Sequence, residues 1–292
     1  MPSTLSKSIS VPKEDVYNWI NFRIPHHHKD LPFILCWSHK SGCTSTLKWF
    51  FWHTGDLDKA LSYTEKAGLV IHNYEAKVFK SGSDYRTNLV DAILQGKPII
   101  NFLRCPYERA FSSYMHLHNK HFIRLEKDQI YNVGLEVRRE VQRFVYGEDV
   151  SIEYPFSFWQ YLKYLHSMKP SELEKHHSPQ YTPIFDIKTV THYRLEDLNK
   201  AFDELEKKFD LQESKEARHR FMSAHHIQKQ SVKRRTTLKL LNLGIPLDPS
   251  PRFVIPVVNR NHLANTRFGE LIEQVFRKDI EIYDTLARTI RS

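Results

Sequence analysis

Residues 33–55 read FILCWSHKSGCTSTLKWFFWHTG, and the middle of that stretch concentrates groups that bind anions. Lys40 supplies a full positive charge, and Thr44 and Ser45 supply short hydroxyl donors. Gly42 adopts backbone angles closed to other residues, so the chain can wrap tightly around a ligand. The helix expected after it adds unpaired N–H groups and the positive end of its dipole. This chemistry suits a phosphate or sulfate group. A plainer reading has Thr44 capping the helix and Lys40 solvated. The segment SHKSGCTST at 38–46 is not a Walker A loop, because its lysine precedes its only glycine. Nucleotide kinases and ATPases are disfavoured accordingly.

A second cationic stretch, RCPYERAFSSY, occupies 104–114. The planar fork of Arg104 suits a phosphate monoester, since two parallel donors can meet two oxygens. Pro106 is favoured in a first helical turn. Ser112, eight residues after Arg104, is equally suited to close packing of that helix, so spacing alone gives it no ligand.

Among the histidines, His72 closes the apolar run GLVI at 68–71, where a strand end would expose it. PHHHKD at 25–30 reads as an exposed loop, because no carboxylate or cysteine cluster of metal-binding spacing accompanies it. His225 and His226 read the same way. QKQSVKRRTTLK at 228–239 suits a solvated helix face better than a ligand surface.

These groups need a frame. Apolar runs at 32–37, 67–73 and 97–104 read as buried parallel strands, with helices predicted at 44–53, 57–66 and 84–95 between or beside them. Ligands of open α/β sheets bind beyond the carboxyl ends of the strands. Lys40, His72 and Arg104 are therefore expected at one sheet edge. The second half reads mainly helical, with helices at 132–146, 156–168, 194–209, 213–231 and 264–289, a strand at 189–195 and an extended Pro-rich connection at 243–262. The expected organisation is an N-terminal extension over 1–31 and one domain over 32–292.

A net charge of +9 favours an anionic partner without naming one. Three cysteines (Cys36, Cys43, Cys105) cannot all pair, and each adjoins an apolar run, which reads as reduced and cytoplasmic. No apolar run approaches the roughly 20 residues that cross a bilayer, and the first twenty residues lack the apolar stretch of a secretory signal.

Taken together, the two stretches resemble the nucleotide-binding signatures of sulfotransferases that use 3′-phosphoadenosine 5′-phosphosulfate (PAPS). Lys40, Gly42, Thr44 and Ser45 match K-x-G-x-[ST]-[ST], the loop for the 5′-phosphosulfate. Arg104, Pro106, Arg109, Ser112 and Tyr114 match every fixed position of R-x-P-x-x-R-x-x-S-x-Y, the 3′-phosphate signature. HHSPQY at 176–181 resembles a segment of the carbohydrate sulfotransferase branch, with His177 in the usual Trp position.

The resemblance implies a P-loop NTPase-like α/β fold: a parallel sheet flanked by helices, followed by a mainly helical C-terminal half. It implies sulfuryl transfer from PAPS, without a metal, to a hydroxyl of a carbohydrate or glycolipid. Lys40, Ser41, Gly42, Cys43, Thr44 and Ser45 would bind the phosphosulfate, with Lys40 stabilising charge on the leaving phosphate. Arg104 and Ser112 would bind the 3′-phosphate. His72 is the candidate base, and His176 is the runner-up or a substrate-positioning group. The alternative is a nucleic-acid-binding protein with a P-loop-like core. It requires basic residues interleaved with exposed aromatics, whereas aromatics here fall at core-like spacings, as in FSFWQYLKYL at 156–165. No nucleic-acid partner is expected.

Overall fold

The computed structural model describes residues 9–67, 70–119, 123, 133–222, 229–250 and 252–289. The chain separates into two compact units, each assembled from two stretches. The first comprises Met1–Leu103 and Tyr181–His225, the second Arg104–Gln180 and His226–Ser292. The fold is mixed α/β and mostly helical, with one four-stranded, mostly parallel sheet.

The first unit holds the sheet, ordered β1 (His26–His27), β2 (Ile34–Cys36), β3 (Ile99–Leu103), β4 (Val190–Arg194). β2, β3 and β4 run parallel, and β1 pairs with β2 antiparallel. All five β3 residues are buried, which explains a strand without polar alternation. Its polar member, Asn101, faces His192 across the ladder and bonds its ring at 3.1 Å.

Helices surround the sheet: α1 (Lys13–Asn21), α2 (Cys43–Thr54), α3 (Leu57–Ala67), the single turn α4 (Ile71–Tyr74), α5 (Tyr85–Leu94) and a further helix at Leu198–Lys208. Residues 9–31 take part in this unit. Tyr17 donates to Thr87 of α5 at 3.1 Å, and His26 is fully buried. The exposed loop expected at 25–30 is corrected accordingly: β1 completes the sheet edge and carries His26 inside. The core gathers Phe33, Trp49, Phe50, Phe51, Phe102 and Phe202. Trp49 stacks on Phe202 at 4.6 Å and gives its indole N–H to Glu206 at 2.8 Å.

Among the described residues of the strand expected at 67–73, none lies in a strand. Around 67–73 the chain finishes α3, extends at Val70 and turns into α4. Asn73 closes that turn, accepting from the Val70 N–H at 3.3 Å and donating its own N–H to the Val70 carbonyl at 2.8 Å. A short apolar run does not by itself distinguish strand from helix. The third parallel strand is β4.

The second unit is helical: α6 (Pro106–His116), α7 (Val133–Tyr146), α8 (Phe158–Ser167) and further helices near the C-terminus. Ser157 and Gln160 cap α8 reciprocally, at 2.8 and 3.2 Å. Buried Arg138 of α7 gathers three carbonyls, those of Ile152, Leu117 and Tyr154, at 2.7, 2.9 and 3.0 Å. The single helix expected over 264–289 is two, Arg267–Val275 and Arg277–Thr289, broken at buried Phe276. The helix expected over 213–231 is, among the described residues, a 3-10 segment at Lys215–Phe221 followed by extended chain at Gln230, which bridges to Pro256. His225 and His226 lie outside the described residues. QKQSVKRRTTLK supplies the short helix Arg234–Leu240, and another, Arg260–Leu263, interrupts the end of the Pro-rich connection. Among the described residues, no helix is long and apolar enough to cross a membrane.

Candidate functional site

β2 ends at Cys36, and the chain makes a tight turn before α2 begins at Cys43. Two residues of that turn are left-handed, Lys40 at φ 65° and Gly42 at φ 73°. For Gly42 the conformation and the space agree. A Cβ there would run into the Leu195 side chain, just past the end of β4. The turn is braced from inside: Ser41 donates its N–H to the Ser38 carbonyl at 3.1 Å, and the two hydroxyls bond at 2.9 Å. Thr46 turns its hydroxyl back onto the Gly42 and Cys43 carbonyls at 3.2 and 3.1 Å. The N-cap of α2 is Gly42, so Thr44 does not act as the cap. Lys40, Cys43, Thr44 and Ser45 are all partly exposed, whereas Ser41 is buried as framework.

His72, on α4 and not at a strand end, comes to the same place by a different route. Its Nδ1 lies 2.7 Å from Glu75 Oε2. Glu75 opens a π-helical turn, Glu75–Phe79, closed by the Lys80 N–H on the Glu75 carbonyl at 2.9 Å. The turn brings Lys80 Nζ to 2.6 Å from Glu75 Oε1, and His26 Nε2 lies 3.0 Å from the same oxygen. Burial opposes ionisation of Glu75, yet Lys80, His26 and His72 outweigh it and hold its carboxyl well below the usual range. Burial likewise opposes charge on His72, and Cys43 and Glu75 outweigh it, raising the ring's pKa. His26, fully enclosed and beside Lys80, is lowered to about 4 and is neutral at pH 7.

Lys40, Cys43 and His72 are thus neighbours within the first unit, with Lys40 and His72 both acting on the Cys43 charge. The sequence reading missed Glu75, whose burial no local pattern signals.

In the second unit, Arg104 and Ser112 are partly exposed, while Pro106, Arg109 and Tyr114 of the same motif are buried. The Arg104 backbone is gripped by one amide: Gln180 Oε1 accepts its N–H at 3.0 Å and Gln180 Nε2 donates to its carbonyl at 2.9 Å. Gln180 is anchored in turn through its own N–H to buried Asp279, at 2.8 Å. This clamp was also missed, although Gln180 belongs to HHSPQY; nothing in its type marks a backbone partner. His176 pairs through Nδ1 with Glu174 at 3.0 Å, stacks on His116 at 4.6 Å, and accepts the Ser113 hydroxyl at its carbonyl at 2.6 Å. Burial opposes the Glu174 charge, but the bond to His176 prevails and lowers the carboxyl to about 2. His177 is buried, bonded to the Tyr161 hydroxyl at 2.7 Å.

Among the described residues, no group of three or more His, Cys, Asp or Glu side chains is placed to hold a metal ion. Comparison with protein-family models, curated proteins and solved structures gave no match.

Proposed function

We propose that this chain is a PAPS-dependent sulfotransferase that transfers a sulfuryl group to a hydroxyl of a carbohydrate or glycolipid, on a P-loop NTPase-like fold. The observation that carries the reading is the turn at 40–45. It follows a parallel strand, contains two left-handed residues, presents a lysine and two hydroxyls, and opens a helix whose N-cap is glycine. Each feature favours an anion. The sequence resemblance at 104–114 supplies the second half of the argument.

In this reading Ser41, Gly42, Cys43, Thr44 and Ser45 cradle the phosphosulfate and Lys40 offsets charge developing on the leaving phosphate. Arg104 and Ser112 take the 3′-phosphate. The acceptor hydroxyl attacks sulfur in line and needs a base. A protonated ring cannot accept that proton, so the surroundings of His72 favour a cation beside the turn over a base. His176, oriented by Glu174, is then the better candidate for the base.

Thermal unfolding with nucleotides tests the proposal. Adenosine 3′,5′-bisphosphate at about 100 times its Kd should add about 2.7 kcal/mol of stability. Adenosine 5′-phosphate should add far less. Equal shifts would remove the 3′-phosphate role of Arg104 and Ser112; no shift from either, with salt-sensitive binding to mixed oligonucleotides, would transfer the case to a nucleic-acid binder.

A further inference from the structure

We propose that Glu75 is a positioning residue that holds His72 as an imidazolium beside the turn at 40–45, giving a sulfate or phosphate anion there a second cation next to Lys40. The inference rests on the anion-binding reading of that turn. His72 Nδ1 donates to Glu75 Oε2 at 2.7 Å. The other carboxylate oxygen is occupied from behind: Lys80 Nζ donates to Oε1 at 2.6 Å, and His26 Nε2 lies 3.0 Å from the same atom. Lys80 is fixed in turn by the Ile24 carbonyl, at 2.6 Å. The His72 ring packs against Trp37 with centroids 5.5 Å apart, and Trp37 packs against His39 at 4.8 Å. His39 immediately precedes Lys40, so one tryptophan joins the His72 ring to the turn.

Two histidines share this carboxylate and differ in exposure. The His26 side chain is 0% exposed, and its enclosure, with Lys80 nearby, keeps it neutral at pH 7. The His72 side chain is 31% exposed, while that of Glu75 is 8% exposed. His72 is therefore the edge at which a buried charged network meets solvent. A carboxylate that accepts from one imidazole nitrogen favours the charged ring and fixes its orientation. The second N–H of that ring can donate to an oxygen of a tetrahedral anion in a charge-assisted bond. The titratable groups facing the ring are Glu75 on the turn that follows it, Cys43 at the start of α2 and His26 on β1.

The pairing decides the pH at which the second cation is present. A histidine without a partner loses its charge near pH 6.5. Glu75 moves that loss upward, so an anion in the turn keeps both cations at neutral pH. In this role His72 binds and takes no proton from the acceptor.

Nitrogen-15 NMR of the full chain, with inorganic sulfate as the probe, tests the pairing. The wild-type His72 ring should stay protonated well above the ordinary midpoint of about 6.5. His72→Gln should weaken sulfate binding at pH 7, followed at the Gly42 amide, by at least about tenfold, the scale of one hydrogen bond to a charged group. His72→Lys should restore much of that loss. Glu75→Gln should match the wild type at about pH 5 and fall about tenfold behind it by about pH 8, since its His72 titrates near the ordinary value. A carboxylate with a merely structural role would give no such pH-dependent gap. A wild-type His72 midpoint at or below about 6.5 overturns the proposal without any variant. Sulfate affinity absent from the wild type, or unchanged in His72→Gln, overturns it too. Sulfate binding that needs His72 and Glu75, in a protein that adenosine 3′,5′-bisphosphate stabilises no more than adenosine 5′-phosphate does, leaves this inference standing and removes the sulfotransferase reading. Selective stabilisation by the bisphosphate that is equal in wild type and His72→Gln keeps that reading and removes this inference.

Discussion

Two strands of one sheet lead into helices by contrasting connections. Between β2 and α2 lie six residues, two of them left-handed, and the side chains that match a binding motif remain partly exposed. Between β3 and α6 lie only Arg104 and Cys105, and three of the five matched side chains are buried. The first connection is a turn whose framework role falls to backbone, buried hydroxyls and the nearby Leu195 side chain. The second is a short link, and after it a motif arginine and tyrosine are buried in the second unit. A fixed position in a motif therefore has one of two meanings, and burial separates them. Arg109 and Arg104 share a residue type and a motif, yet only Arg104 is partly exposed.

The largest effect that would sharpen this contrast concerns Arg109. It is 1% exposed and faces the charge of fully buried Asp279. Arg109→Ala should destabilise the protein by about 3–5 kcal/mol, the cost typical of deleting a large buried side chain. Urea unfolding measures it, and a loss below about 1 kcal/mol would break the assignment of Arg109 to the framework.

Next is Gly42→Ala, which adds left-handed strain to a collision with Leu195 and should cost about 1–3 kcal/mol. Gly55, also left-handed at φ 77° but open on all sides, gives the strain alone. Gly55→Ala should therefore cost less than Gly42→Ala in the same urea series. Equal losses would mean that Leu195 yields and the turn is looser than drawn.

The smallest change is Ser112→Ala, expected to alter stability by no more than about 0.5 kcal/mol, as for other partly exposed positions without a special role. Binding of adenosine 3′,5′-bisphosphate should weaken nonetheless. A variant that loses stability and keeps binding would return Ser112 to the framework.

Much of this contrast was legible from residue types. β2 and β3 announce themselves as apolar runs bounded by Pro32 and Pro98, and α2, α3 and α5 fall within a residue or two of expectation. The Gly42 turn follows from the one residue that tolerates its angles at no cost. What was not legible depends on distant partners. GLVI followed by His72 looks like a strand end until Asn73 closes a helical turn on Val70. His26 looks exposed among histidines and a lysine until β2 provides a ladder for it. The break at Phe276 comes from burying one ring, and the Gln180 clamp joins residues separated by 76 positions. Local pattern gives elements; pairings across the chain decide which polar group is enclosed.

The π-helical turn at Glu75–Phe79 has a consequence for how the chain tolerates changes in its length. Its closure spans five residues, and that extra step is what carries Lys80 around to Glu75. Removing one residue would restore an ordinary turn and rotate everything after it by about 100° about the helix axis. Lys80 would point elsewhere, although every amino acid of the charged network was still encoded. At this turn the count of residues holds information that composition does not, and a gap there would be felt at His72 as surely as a substitution.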